Sequence, residues 1–208
     1  MQNDLEIDNL PNRLTLFRMA MIPVVVGALY LQNSPERWSF PLLPWLGHIA
    51  AAIFAVASFT DFLDGYIARK RNIVTVFGSF LDPIADKFLV VSSLLMLLAL
   101  ERVHPVVVII LVLREMYMTS LRLLAMTEGI NIPVDQLGKW KTAFQMVSIP
   151  MLMIHQEFLW VHWGFWGTIL IYISAFLSLM SALNYSVSMI KKLKIKRMRA
   201  RSKKKDHL

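Results

Sequence analysis

Four aspartates in the chain are spaced so that two pairs of carboxylates can meet. Asp61 and Asp64 are three residues apart, and Asp82 and Asp86 are four apart. On a helix, residues at these separations lie on one face, so two helices can build a cluster of four carboxylates. Such a cluster needs cations to offset its repulsion, and ligation by oxygen alone selects Mg²⁺ or Mn²⁺. Four carboxylates suit two metal ions about 3.5–4 Å apart, an arrangement that stabilises phosphoryl displacement.

The residues around the two aspartate pairs are small or cationic. Gly65 and Gly78 carry no side chain, Ala68 adds little bulk, and Arg69 follows Gly65 by one helical turn. These positions let a phosphate or a base approach the backbone, where Arg69 can meet it. Taken singly, an aspartate caps a helix, an arginine belongs to a basic loop and a glycine permits close packing. Those explanations do not account for all these residues falling in one register.

Six apolar stretches supply the elements that must position these residues. Hydrophobic residues make up 56% of the chain and charged residues 17%, with a mean hydropathy of +0.53, whereas soluble domains carry roughly 45–50% and about 25%. A spanning helix needs about 20 residues, which the third and fifth stretches reach if they begin near Asp82 and Lys139. Pro83 then falls in the first turn of its helix, where proline is tolerated. The sequence predicts an all-α integral membrane protein with six transmembrane helices, from the stretches Leu14–Leu31, Leu42–Phe59, Phe88–Leu100, Pro105–Met126, Phe144–Ile154 and Trp160–Ile190.

The distribution of charge predicts the orientation in the membrane. Ten of the 22 Lys and Arg residues lie between Lys191 and Lys205, and most of the others fall on the same side of a six-span layout. Only Arg37 and Arg102 fall on the opposite side. By the positive-inside rule, both termini and the polar site face the cytoplasm of a cell membrane. We expect a membrane domain over residues 1–190 and a basic cytoplasmic tail over residues 191–208.

The two ends of the chain are expected at the membrane surface. The acidic, polar opening reads as a short surface segment and not as a cleavable signal peptide. The first helix would open around Asn12 to Thr15, after Pro11. A basic tail beside an apolar segment favours anionic lipid as its partner. Nothing else in the sequence favours nucleic acid, so we expect no nucleic-acid partner.

The spacing of the aspartates resembles a known signature. From Asp61 to Asp86 the residues read D-x-x-D-G-x-x-A-R, then eight residues, then G-x-x-x-D-x-x-x-D, without departure. This pattern resembles that of the CDP-alcohol phosphotransferase family, and the six-span layout extends the resemblance over most of the chain. The resemblance implies that Asp61, Asp64 and Asp82 hold two divalent ions, Mg²⁺ or Mn²⁺, that bridge the pyrophosphate of a CDP-linked lipid. Asp86 would complete the second metal site and act as the general base on the acceptor hydroxyl.

The resemblance also assigns the nucleotide contacts. An aspartate is a weak base, with a reference pKa of about 3.9, so Asp86 would position the hydroxyl and accept its proton late. Asn12 and Thr15 resemble a family element near the nucleotide, although either residue could equally cap the first helix. The residues that would bind nucleotide are Gly65, Ala68, Arg69, Gly78, Asn12 and Thr15.

Four further segments point to one bacterial branch of the family. They resemble enzymes that transfer the phosphatidyl group from CDP-diacylglycerol to sn-glycerol 3-phosphate and release CMP. The resemblance also implies a homodimer. The segments read NLPNRLTLFRMAMIP, FGSFLDPIADKFLV, LREMYMTSLR and GKWKTAFQMV.

A phosphorylated acceptor requires cations beside the metal site. Arg114 and Arg122 lie inside the fourth stretch, where an unpaired charge costs about 2.5–3.5 kcal/mol. Glu115 could pair with Arg114 structurally, while Arg122, nearer the cytoplasmic end, is the better candidate for the acceptor phosphate. Lys139 and Lys141 are further candidates, and their alternative is to extend from a helix end towards water.

Other functions remain open at this point. A sister transferase acting on inositol phosphate or serine would carry the same aspartate signature, so only the acceptor pocket discriminates. A divalent-cation transporter is disfavoured, because its acids would lie at the membrane midplane instead of at one end. A membrane scaffold would leave the pattern of aspartates and glycines unexplained.

Overall fold

Six helices make up nearly all of the part of the chain that the structure describes. The computed structural model describes residues 10–33, 45–71, 76–130, 133, 135–158 and 160–205, with side chains at 15–32, 45–60, 84–130, 133, 135–156 and 160–198. A two-stranded antiparallel hairpin, which the all-α prediction did not include, separates the last two helices. The elements in chain order are α1 (Leu10–Asn33), α2 (Leu46–Arg71), α3 (Val76–Ala99), α4 (Pro105–Thr127), α5 (Gln136–Ile154), β1 (Glu157–Phe158), β2 (Val161–His162) and α6 (Trp163–Lys205).

Each of the six apolar stretches corresponds to one helix, but several helices begin earlier than predicted. Helix α3 begins at Val76, so Pro83 lies in its second turn and the first-turn prediction for this proline is wrong. Helix α1 begins at Leu10, so Asn12 and Thr15 lie inside it and neither is the residue that precedes its first turn. Apolar periodicity marks where a helix is buried, and it misses polar turns that continue the same hydrogen-bond ladder.

The surface of the helices is apolar to an extent typical of a membrane protein. Within the described side chains, two segments are long and apolar enough to cross a membrane, Thr15–Gln32 and Trp163–Met198, with mean hydropathies of 1.5 and 1.7. Large apolar side chains also point outwards on other faces, including Leu113, Phe176 and Leu183, each at least 60% exposed. Soluble proteins rarely expose apolar patches on this scale.

The core is built by all six helices. Helix α5 packs along α6 and against α2, α1 packs against α2 and α3, and α4 packs against α6. Val25, Leu29, Phe54, Leu94 and Ile149 are fully buried or nearly so at the centre. This packing sets α3, α4 and α5 around one space, which contains the candidate site.

The end of the bundle that carries the hairpin is fixed by an arginine. Arg102 lies between α3 and α4 and donates from Nη1 to the carbonyl oxygens of Leu152 and Met153, at 3.2 and 2.6 Å. These carbonyls belong to the last turn of α5, which has no partners for them within the helix. Burial lowers the pKa of the Arg102 guanidinium.

Helix α6 continues without a break from the apolar bundle into the basic segment. Its 43 residues correspond to a length of about 65 Å, and the helix passes residue 190 without ending. Lys196 donates to the carboxylate of Glu128, at 2.9 Å, and to its carbonyl oxygen, at 2.5 Å. This hydrogen bond lowers the pKa of the exposed Glu128 carboxyl. The basic segment therefore begins as an extension of α6 held against the end of α4.

Candidate functional site

The aspartates lie on the two helices that the sequence pattern requires. Asp61 and Asp64 are in the last turns of α2, and Asp82 and Asp86 are in the first half of α3. Because Gly78 also lies on α3, Gly78, Asp82 and Asp86 share one helical face at intervals of four residues. Among the four aspartates, only the side chain of Asp86 belongs to the described part of the chain.

Most of the predicted metal and nucleotide contacts fall outside the described side chains. Within the side chains that are described, no group of three or more metal-binding residues occurs. Thr15 is the exception among the nucleotide contacts, and it is fully buried on α1. The predicted residues whose side chains lie outside the described part are Asp61, Asp64, Asp82, Gly65, Ala68, Arg69, Gly78 and Asn12.

One cavity of about 670 Å³, the acceptor cavity, brings together the remaining predicted residues. It lies between α3, α4 and α5, and its described lining includes five basic and two acidic side chains. Asp86 is on one wall, and all four predicted acceptor cations line the same space. The lining residues are Asp86, Lys87, Val90, Val91, Arg114, Glu115, Arg122, Gly138, Lys139, Lys141, Thr142, Ala143, Gln145 and Met146.

A buried ion network forms one side of the acceptor cavity. Glu115 accepts a hydrogen bond from Arg114 Nη1 at 3.0 Å and another from Lys141 Nζ. The side chains of Arg114 and Lys141 are 7% and 4% exposed, so both charges are almost fully withdrawn from solvent. The structural pairing of Arg114 with Glu115 is confirmed. Lys141 is buried and paired and does not extend towards water.

Helix α6 holds this network from behind. Arg114 Nε donates to the carbonyl oxygen of Ser178, and Arg114 Nη2 donates to Ser181 Oγ, both at 3.2 Å. Ser174 Oγ donates to the carbonyl oxygen of Lys141 at 3.0 Å. Sequence reasoning missed these three buried serines, although their spacing of four and three residues is that of one helical face.

Arg122 and Lys139 are the exposed cations of the acceptor cavity. Within the described residues, neither has a hydrogen bond or an ion pair with the protein. Arg122 lies two turns beyond Arg114 on α4, and Lys139 lies in the first turns of α5. The cavity therefore grades from a buried, internally paired network to two cations available to an anion.

The wall formed by α3 contributes a second polar contact. Lys87 follows Asp86 and donates from Nζ to Thr119 Oγ1 on α4. Thr119 in turn donates to the carbonyl oxygen of Glu115 at 2.8 Å. These bonds tie α3 to α4 beside Asp86, which fixes the position of this carboxylate relative to the cations.

The helical bundle and its aspartate pattern define a class of protein. Residues 8–180 match the CDP-alcohol phosphatidyltransferase family, and the chain belongs to that family. The match covers α1 to α5 and part of α6, so it includes every predicted site residue.

Several named proteins are similar to this chain over most of its length. A protein of Rickettsia felis named CDP-diacylglycerol–glycerol-3-phosphate 3-phosphatidyltransferase is 36% identical over 178 residues, 85% of this chain and 93% of that protein. A protein of the same name from Bacillus subtilis is 40% identical over 71% of this chain and 77% of its own length. A rice protein named cardiolipin synthase (CMP-forming) is 35% identical over 71% of this chain and 46% of its own length.

Proposed function

We propose that this chain transfers the phosphatidyl group of CDP-diacylglycerol to sn-glycerol 3-phosphate, giving phosphatidylglycerophosphate and CMP. The names of the bacterial relatives support this reaction. The structural observation that carries it is the acceptor cavity, where Asp86 and four cations converge from three helices. Its described lining carries an excess of three positive charges, which suits an acceptor that brings a phosphate.

The proposed metal site uses the four aspartates. Enzymes of this family generally depend on divalent metals. Carboxylates alone, offered by adjoining ends of α2 and α3, suit hard ions such as Mg²⁺ or Mn²⁺, so Asp61, Asp64, Asp82 and Asp86 would hold two of them. When bound, these ions would offset the negative charge of the CDP pyrophosphate.

Asp86 has a second proposed role, towards the acceptor. Its carboxylate would orient the attacking hydroxyl and take its proton as the new oxygen–phosphorus bond forms. The bond between the lipid-linked phosphorus and the oxygen of CMP breaks in the same displacement, and CMP leaves. Lys87, held by Thr119, would keep this wall in place.

The four cations of the acceptor cavity differ in burial, and we assign them different roles. Arg122 and Lys139 are exposed and unpaired within the described residues, so they would bind the acceptor phosphate directly. Arg114 and Lys141 are paired with Glu115 and would contribute the positive potential of the cavity wall. The nucleotide would be bound by Gly65, Ala68, Arg69, Gly78, Asn12 and Thr15.

The proposed setting is a cell membrane, crossed six times. The apolar outer surface and the two long apolar segments support a membrane location. The termini and the acceptor cavity would face the cytoplasm, with a membrane domain over residues 1–190 and a basic tail over residues 191–208. A homodimer is proposed from the family resemblance.

The test is CMP release by the purified protein supplied with CDP-diacylglycerol and Mg²⁺ or Mn²⁺. We expect release with sn-glycerol 3-phosphate and not with inositol phosphate or serine. Asp86→Asn should abolish release, whereas Asp135→Asn, an aspartate outside the acceptor cavity, should leave it unchanged. Absence of release with every acceptor, from protein shown to be folded, would overturn the proposed reaction.

The name of the rice relative indicates cardiolipin as a second product to test for in the assay. The sister reaction that forms cardiolipin would share the CMP-releasing chemistry and differ in the acceptor. An assay that detects cardiolipin but no phosphatidylglycerophosphate would move the chain to that branch and leave the role of Asp86 intact.

A further inference from the structure

Gln145 lies in the acceptor cavity with an unused hydrogen-bond donor. Its side chain is 3% exposed and lines the cavity. The amide nitrogen Nε2 is buried and has no hydrogen-bond partner in the described part of the chain. Burying a polar group without a partner is unfavourable, so packing alone does not explain an amide at this position.

Gln145 lies on α5 near Lys141, in the cavity that also contains Asp86. It follows Lys141 by one turn of α5, which places the two side chains on the same helical face, about 6 Å apart along the axis. Lys141 contacts Glu115, and Asp86, Lys141 and Gln145 all line the acceptor cavity. Gln145 therefore lies in the same space in which the acceptor hydroxyl would meet Asp86.

The charges of the cavity decide what Gln145 would bind. A phosphate carrying two negative charges pairs best with the exposed Arg122 and Lys139. The attacking hydroxyl belongs at Asp86. A neutral amide, which can donate and accept, suits a neutral hydroxyl that takes no part in the displacement.

We propose that Gln145 hydrogen-bonds the secondary hydroxyl of the acceptor and so selects a polyol phosphate over a phosphate that lacks this hydroxyl. The inference rests on the proposed function and adds a residue that determines acceptor specificity. In sn-glycerol 3-phosphate, this group is the hydroxyl on C2, between the attacking C1 hydroxyl and the phosphate.

The experiment compares two acceptors that differ by that hydroxyl. 3-Hydroxypropyl phosphate keeps the primary hydroxyl and the phosphate of sn-glycerol 3-phosphate and lacks the C2 hydroxyl. We expect the wild type to prefer sn-glycerol 3-phosphate by about tenfold in kcat/KM, since one net hydrogen bond contributes about 1.4 kcal/mol at most. The comparison needs no variant, so equal use of both acceptors would overturn the inference even if substitutions at residue 145 impair folding.

Substitutions then assign the preference to Gln145. Gln145→Met keeps the side-chain length without a donor, and Gln145→Leu is a second such variant. Both should bring the preference close to one by lowering kcat/KM for sn-glycerol 3-phosphate, with the KM for CDP-diacylglycerol unchanged. Ser93→Ala is the matched control, because Ser93 is buried on α3 outside the cavity lining and its hydroxyl also has no hydrogen-bond partner in the described part of the chain. This variant should keep the wild-type preference.

Two outcomes would overturn the inference and leave the proposed function standing. One is a wild type that uses both acceptors equally well. The other is a pair of Gln145 variants that lose activity with both acceptors by the same factor, which is what a structural role predicts. A wild type that releases CMP with neither acceptor would overturn the proposed function and this inference together.

Discussion

Glu115 is the residue on which the charge balance of the acceptor cavity depends. It accepts hydrogen bonds from two buried cations, Arg114 on the same helix and Lys141 on α5. One carboxylate thus offsets two positive charges and leaves an excess of one. Because buried charges are tolerated only when paired, Glu115 allows Arg114 and Lys141 to remain buried while the cavity stays positive.

Removing the charge of Glu115 should destabilise the fold. In Glu115→Gln, Arg114 and Lys141 would remain buried without a carboxylate, and we expect the free energy of unfolding to fall by about 3 kcal/mol. Denaturant unfolding in detergent measures it. The matched control is Glu128→Gln, which removes an ion pair at the surface and should change stability little. Equal losses in both variants would contradict a special cost at Glu115.

The exposed cations should affect acceptor binding and not stability. We expect Arg122→Ala to raise the KM for sn-glycerol 3-phosphate by about tenfold or more, because a hydrogen bond to a charged group contributes about 1.5–3 kcal/mol. The KM for CDP-diacylglycerol should not change. Steady-state kinetics with each substrate varied in turn measures both constants. Lys191→Ala removes an exposed cation outside the cavity, and an equal effect there would indicate nonspecific attraction.

At the scale of the elements, α2 and α5 approach each other closely at Gly47. A Cβ at this position would overlap the carbonyl oxygen of Met153, and a backbone atom cannot move away as the end of a flexible side chain can. This contact belongs to the same last turn of α5 that Arg102 holds. The close approach of these two helices therefore requires a glycine.

Gly47→Ala should separate the helices and lower stability by about 1–3 kcal/mol. Gly27→Ala on α1 is the control, because nothing lies within 4 Å of a Cβ there. Alanine has the higher helix propensity, so this control should be neutral or stabilising by up to about 1 kcal/mol. Thermal unfolding of both variants gives the comparison, and a neutral Gly47→Ala would show that the two helices shift apart freely.

The six helices and the cations of the acceptor cavity were predicted from the sequence, but two helix starts were not. Apolar periodicity gave six helices, and the charges inside them pointed to Arg114, Arg122, Lys139 and Lys141, which the structure brings together with Asp86. The starts of α1 and α3 were misplaced because their first turns are polar.

Pairings between helices were not readable in the same way. A periodic pattern shows which face of a helix is buried but not which residue it meets. The pairing of Arg114 with Glu115 could be anticipated because the two residues are neighbours in the sequence. The bond from Lys141 to Glu115 depends on how α4 and α5 pack, as does the burial of Gln145.

At the scale of the whole molecule, the proposed six-span arrangement would place the two ends of α5 on opposite sides of the membrane. The chain contains no cysteine, so single cysteines can be introduced without background. We expect Gln156→Cys, just after α5, to react with a membrane-impermeant maleimide added to intact cells. Pro133→Cys, just before α5, should react only after the membrane is permeabilised. The reverse pattern would overturn the cytoplasmic placement of the acceptor cavity.

The basic extension of α6 should interact with anionic lipid in a graded way. Attraction contributes about 1 kcal/mol per Lys or Arg near the surface and decays over a Debye length of about 10 Å at 0.1 M salt. Residues 191–205 continue α6 as a helix and would extend about 22 Å, while Lys196 is held by Glu128. Only the first half of this segment would therefore be close enough to feel the lipid charge.

Trypsin cleavage in nanodiscs tests this gradient. Anionic lipid should slow cleavage at Lys191, Lys192 and Lys194 relative to neutral lipid. Addition of 0.5 M salt should remove the difference, because the screening length is then about 4 Å. Cleavage near Lys203 should proceed at the same rate in both lipids. Equal protection along the whole segment would mean that the extension bends down onto the membrane. Helix α6 would then not be continuous through residues 191–205 at a lipid surface.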